Sequence, residues 1–161
     1  MDDKQKELKA KTVYASLCAA LDNRKWNYDK NDEDMSVEFT VSGEDIPMHY
    51  YMFVDARLQL VRVLSPMPFV FSEPKRLDGA LAVCIANFGL GDGGFDYDIK
   101  SGIISYRQNA SFIGDSAVNE ELFDYLVECP CAMVDFFNDK FLALDKGLID
   151  INKFASLREN N

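Results

Sequence analysis

The sequence predicts an α+β fold, an antiparallel sheet with helices packed on it, in the order α-βββ(β)-α-ββ-α. Three observations carry this reading. Residues 35–42 alternate between apolar and polar side chains, the mark of a strand with one buried and one wet face. Two groups of strands are separated internally by short polar turns, so consecutive strands run antiparallel. Helical periodicity fills the two ends and the interval between the groups, without the regular βαβ alternation of a parallel sheet. A chain of 161 residues fits a single domain, 1–161.

Residues 4–24 have Leu8, Tyr14, Leu17, Cys18 and Leu21 near helical spacing, with Lys and Glu on the outer face. Trp26 and Tyr28 begin a short strand, and Asn31-Asp32-Glu33-Asp34 makes a polar turn. Met35, Val37, Phe39 and Val41 form the buried row of the next strand. Residues 46–55 are apolar on both faces, as in a central strand, and 57–65 form another strand that Pro66 and Pro68 end. Ser72 is a candidate N-cap, with Glu73 and Pro74 in the first turn. The helix that follows, over 73–90, has Leu77, Leu81, Cys84, Ile85 and Phe88 at spacings of three and four. Ala80, Ala82, Val83 and Ala86 leave it little polar surface, so it is expected to be buried on most of its circumference. Phe95, Tyr97 and Ile99 alternate with Asp96 and Asp98 in a hairpin that turns at Lys100-Ser101-Gly102 and returns over 103–110. A last helical region starts near Val118. Pro130 is expected to divide it, and Met133, Phe137, Phe141 and Leu144 stripe its second piece. Residues 151–158 read as a terminal helical turn.

Apolar residues make up 48% of the chain, twelve of them Phe, which excludes disorder for most of it. The net charge of −10, from 27 acidic against 17 basic residues, disfavours nucleic-acid backbones and anionic membrane surfaces. No run approaches the roughly 20 apolar residues of a membrane span. The N-terminus MDDKQKELKAK lacks an apolar signal core, and Cys18 and Cys84 sit in apolar helical patterns as small hydrophobes. A cytoplasmic location with reduced thiols is the expectation.

Candidate chemistry is sparse. Gly89-Leu90-Gly91-Asp92-Gly93-Gly94 matches G-x-G-x-x-G, but it follows a helix and precedes a strand, the reverse of a dinucleotide site. Asp92, Asp96 and Asp98 invite a calcium reading but lack the terminal Glu of an EF-hand loop. An ion pair from Arg107 to the strand aspartates is favoured, making Asp96, Asp98 and Arg107 a structural polar cluster. Cys129-Pro130-Cys131 lacks the second pair that structural zinc needs. His49 stands alone on a strand beside Tyr50 and Tyr51 with no nucleophile motif near it. Arg57, Arg62, Lys75 and Arg76 read as an ordinary solvated rim. No cofactor is expected.

The ordered motifs Pro66-x-Pro68, Pro74, Ala86-Asn87-Phe88-Gly89-Leu90, Gly94-Phe95-Asp96-Tyr97-Asp98 and Gly102-Ile103-Ile104-Ser105-Tyr106-Arg107 resemble the YbjN family. So do Trp26, the strand 35–41 and Met48 through Asp55. That family is often labelled as bacterial sensory transduction regulators. The resemblance spans roughly 10–145, with 146–161 as a tail. It implies a type III secretion chaperone-like fold, often dimeric, that binds extended client segments in apolar grooves and has no established catalytic residues. The expected function is a non-catalytic protein-binding module, a chaperone-like or regulatory adaptor, with Tyr51, Phe53, Phe69 and Phe71 as candidate protein-contact residues. The alternatives are a small-ligand or divalent-metal responsive regulator at Asp92, Asp96 and Asp98, and an enzyme built on His49.

Overall fold

The computed structural model describes residues 2–114 and 118–159. Its order is α1 (Asp3–Asn23), β1 (Asp29–Asn31), β2 (Ser36–Ser42), β3 (Pro47–Asp55), β4 (Leu60–Val70), a 3₁₀ turn (Glu73–Lys75), α2 (Arg76–Asn87), β5 (Gly94–Asp98), β6 (Ile103–Ser111), α3 (Glu120–Asp145) and α4 (Ile151–Glu159). The six strands form one antiparallel sheet ordered β1-β2-β3-β4-β6-β5. The fold class is α+β, as the alternation of strand and helix patterns indicates.

Helices cover one face of the sheet. α1 packs on β3, α3 on β4 and β6, and α2 on β5. Burial alternates accordingly along β3: Met48, Tyr50, Met52 and Val54 are buried, while Tyr51 and Phe53 are half-buried on the opposite face. The sequence suggests two apolar faces here, but only one carries a helix layer. Between sheet and helices, Phe71, Phe95, Phe137, Phe141 and Phe154 form a connected aromatic core with ring centroids about 5–6 Å apart. Phe154 places α4 in that core, so this part of the tail is integral to the domain.

Four elements differ from expectation for identifiable reasons. β4 continues through Pro66 and Pro68 to Val70. Its pairing with β3 stops at Leu64, and its register against β6 shifts between Pro66 and Val70. A strand with one neighbour and a bulge tolerates residues lacking an N–H. Trp26 does not begin a strand. It closes the end of α1, where Trp26 N–H donates to Leu21 C=O (3.2 Å) and Lys25 N–H to Asp22 C=O (2.9 Å). This is a Schellman cap with Lys25, at φ 55°, in the left-handed position that glycine usually fills.

Pro130 does not divide the last helix, and α3 runs through it unbroken. Proline removes one bond of the helix ladder and crowds the carbonyls of the preceding turn. Buried Tyr50 reaches that turn from β3 and donates its hydroxyl to the Val127 carbonyl at 2.7 Å.

α2 is not buried on most of its circumference, as its composition suggests, but on one face only. Gly79, Ala82, Val83 and Ala86 face inward. Leu77, Leu81 and Phe88 are 72, 54 and 76% exposed, and Cys84 is exposed beside them. A Cβ on Gly79 would lie 2.9 Å from the Phe71 ring and 2.7 Å from the Tyr97 hydroxyl. The helix therefore sits so close to the core that only small side chains fit beneath it.

Candidate protein-docking surfaces

The four proposed contact residues separate in space. Phe71 is fully buried and packs edge-on against Tyr97 and Phe141. It cannot meet a partner, because it has no exposed surface and its backbone is held against the β5–β6 turn, where Phe71 N–H donates to Gly102 C=O at 2.9 Å and a Cβ on Gly102 would abut the Phe71 carbonyl. Phe69 is half-buried against it. Tyr51 and Phe53 remain on the helix-free face of the sheet with ring centroids 5.5 Å apart, and the Arg62 guanidinium lies 5.1 Å from the Phe53 ring. Arg62 is thus part of this aromatic face and not a free rim charge.

The aspartates also separate. Asp96 receives a forked pair of bonds from Arg107, Nε at 2.7 Å and Nη2 at 3.2 Å. Asp98 stabilises the hairpin turn instead. It accepts from Lys100 N–H (3.0 Å) and the Ser101 hydroxyl (2.6 Å), which with its turn partners hold its carboxyl below the ordinary value. Asp92 accepts from Gly93 N–H, Gln108 Nε2 and the Tyr125 hydroxyl, and its carbonyl accepts from the Tyr106 hydroxyl. The Asp92 bond, with burial behind it, pushes the Tyr125 hydroxyl up to about 12. Each carboxylate is thus committed to its own partners, and among the described residues no group of three or more His, Cys, Asp or Glu is arranged to hold a metal.

Asn87 does not cap α2. Its side-chain oxygen accepts from Phe95 N–H at 2.7 Å and its nitrogen donates to Phe95 C=O at 2.8 Å. The amide imitates a neighbouring strand at one residue, Phe95, of the outer edge of β5. His49 faces outward from β3, with Nε2 3.3 Å from Glu38 Oε2. Both side chains are about half-exposed, 50 and 51%, so the pair stands in water. Cys129 Sγ lies 3.7 Å from the Tyr106 hydroxyl, and Cys131 Sγ 4.0 Å from Asp135. Burial and the Asp135 and Glu44 carboxylates push the Cys131 thiol up, away from the thiolate form.

Two surfaces escape sequence reasoning. One is the outward stripe of α2, whose spacing is legible but whose direction is not. The other is a groove of about 730 Å³ between the β2–β3 turn and α3. Its floor includes Trp26, Val41, Val127 and Phe136, and its rim Glu44, Asp45, Asp124, Glu128 and Asp135. The Schellman cap aims Trp26 into it, and the indole packs 5.5 Å from Phe39, which stacks on Tyr50 at 5.2 Å. Arg24 pairs with Asp124. Glu44 N–H donates to Asp135 Oδ2 at 2.9 Å, drawing the turn onto α3. Asp124, Glu128 and Asp135 share one face of α3 at spacings of four and seven, a signal the sequence carries, but Glu44 and Asp45 come from the β2–β3 turn and no local pattern connects the two groups.

Among the described residues no helix is long and apolar enough to cross a membrane. No protein-family model matches the chain, and no curated protein matches it.

Proposed function

We propose that this protein is a non-catalytic protein-binding module, a chaperone-like or regulatory adaptor, whose primary docking surface is the outward face of α2. The observation that carries the reading is the inversion of that helix. A surface helix ordinarily turns its large apolar residues inward. Here glycine and alanines face the core, and Leu77 and Leu81 face water at 72 and 54% exposure. Full burial of one leucine is worth about 1.5–3 kcal/mol, so covering these two stabilises a complex by about 2–4 kcal/mol per copy. Large apolar patches of this kind mark interaction surfaces.

The first occupant is a second copy of the chain, packed through the same stripe about a two-fold axis, so that each copy's leucines cover the other's. The helix-free sheet face with Tyr51 and Phe53 stays open in such a dimer for further contacts. The motif order shared with the YbjN family, and the dimeric chaperone-like fold that it implies, support the same reading.

Sedimentation equilibrium tests it. Wild-type protein at high micromolar concentration is expected to sediment as a dimer, and Leu81→Asp as a folded monomer. Wild-type protein that stays monomeric, or a Leu81→Asp variant that stays dimeric, refutes this assignment.

A further inference from the structure

We infer that the open edge of β2 accepts an extended peptide segment bearing apolar side chains flanked by Lys or Arg. The inference rests on the protein-binding reading above and specifies a second, chemically distinct site.

The two outer strands of the sheet are treated differently. At β5 the Asn87 amide satisfies the outward backbone groups of Phe95. At the other side β1 has only three residues and pairs only with Ser36–Glu38. Among the described residues no strand pairs with Phe39–Ser42 on that side.

The direction of the unpaired groups follows from the hairpin. Gly43 N–H donates to Ile46 C=O at 3.0 Å, and Val54 N–H donates to Met35 C=O at 3.0 Å. In an antiparallel ladder, bonded and non-bonded positions alternate. The odd-numbered residues of β2 therefore bond to β3, and the N–H and C=O groups of Thr40 and Ser42 point to the open edge. These groups can receive a strand, which is how extended peptides add to sheets.

The surroundings define the peptide. The groove of about 730 Å³ flanks Val41 and Ser42, and a crevice of about 670 Å³ flanks Phe39 and Thr40. Trp26 lines both. Side chains of an added strand that turn toward the helices meet Trp26, Val41, Val127 and Phe136, which select an apolar residue. The rim carries Glu44, Asp45, Glu128 and Asp135 in addition to Asp124, the one that Arg24 neutralises. Opposite charge on the peptide complements this rim, and acidic ends are repelled.

The test uses three synthetic peptides, Lys-Val-Lys-Phe-Lys-Val-Lys, its counterpart with Glu for every Lys, and one with Pro for Phe. Binding is followed by amide hydrogen exchange and by fluorescence of Trp26. The Lys peptide is expected to bind at least tenfold tighter than the Glu peptide and to slow exchange at Thr40 and Ser42. The Pro peptide, which interrupts a strand, is expected to lose that protection. Ser42→Pro removes one edge N–H while sparing the ladder to β3, and is expected to weaken the Lys peptide at least fivefold. Glu44→Lys, on the exposed rim, provides a second variant and should reduce the charge preference, since Asp45, Glu128 and Asp135 remain.

Equal affinity for the Lys and Glu peptides, or unchanged exchange at Thr40 and Ser42, overturns the inference. Absence of binding by wild type at millimolar peptide overturns it too. Leu81→Asp is expected to bind the Lys peptide normally, so failure of the groove and failure of the α2 interface are read separately.

Discussion

Removal of the Asn87 side chain measures what its amide contributes at Phe95 on the outer edge of the sheet. Its amide makes two bonds to Phe95, whose residue is only 2% exposed. A net hydrogen bond is worth about 1 kcal/mol, and a buried group left unpaired costs about 1–3 kcal/mol. Asn87 is itself half-buried, so water can reach part of the vacated space. Asn87→Ala is therefore expected to destabilise by about 2–3 kcal/mol, seen as a lower midpoint in urea with an unchanged slope. Asn87→Asp separates the two bonds. Its carboxylate still accepts from Phe95 N–H but places a second negative oxygen against Phe95 C=O. The protonated acid would donate to that carbonyl, so its folded-state pKa should lie above the unfolded value of about 3.9. A raised folded pKa gives stability that is present at low pH and lost as pH rises through it. Asn87→Asp should thus approach wild type near pH 4 and fall away by pH 7. A cost below about 0.5 kcal/mol for Asn87→Ala, or an Asp variant steadier at pH 7 than at pH 4, would refute the strand-mimic argument.

Three further outcomes follow from the same geometry. Lys25→Gly should stabilise by about 1 kcal/mol, because a left-handed L-residue costs about 1–2 kcal/mol and the position is exposed; thermal melting checks this. Tyr50→Phe should cost about 1–2 kcal/mol in urea unfolding, since the ring is retained and only the bond to Val127 C=O at the proline turn is lost. Asp145 is buried, which raises its carboxyl, but the Ser72 N–H bond at 2.7 Å and the neighbouring Lys146 outweigh this and hold it below its ordinary value. A depressed folded pKa gives stability present above the unfolded value and lost as pH falls through the folded one. The stability gap between wild type and Asp145→Ala, about 1–2 kcal/mol at pH 6, should therefore shrink below pH 4 in denaturant titrations.

The strand patterns were legible because a period of two is local. Met35, Val37 and Phe39 announce a buried face without reference to any other segment. Helix orientation is harder. Leu77, Leu81, Cys84 and Phe88 define a stripe, but periodicity does not say whether a stripe faces core or solvent. The usable signal was on the other side, where Gly79, Ala82 and Ala86 recur at spacings of three and four and permit close approach. Pro66 and Pro130 misled for a related reason. Proline ends an element only when a bond is needed there, and whether one is needed depends on distant segments: β3 stops pairing with β4 at Leu64, so no strand calls for an N–H from Pro66 on that side. Phe71 reads as a contact residue in the sequence, yet it is buried, and Gly79 and Gly102 let the chain close around it. The acidic groove gathers Trp26 from beyond the end of α1, the end of β2, the β2–β3 turn and one face of α3, so only the folded chain brings it together.

The glycine-rich corner after α2 looks slack on composition. Asp92 makes it otherwise. One residue collects donors from its own loop, from β6 and from α3, while a Cβ on Gly93 would lie 2.3 Å from the Tyr106 hydroxyl. The corner behaves as a rivet through three elements. Loop, sheet and helix layer are therefore pinned to one another at a single carboxylate.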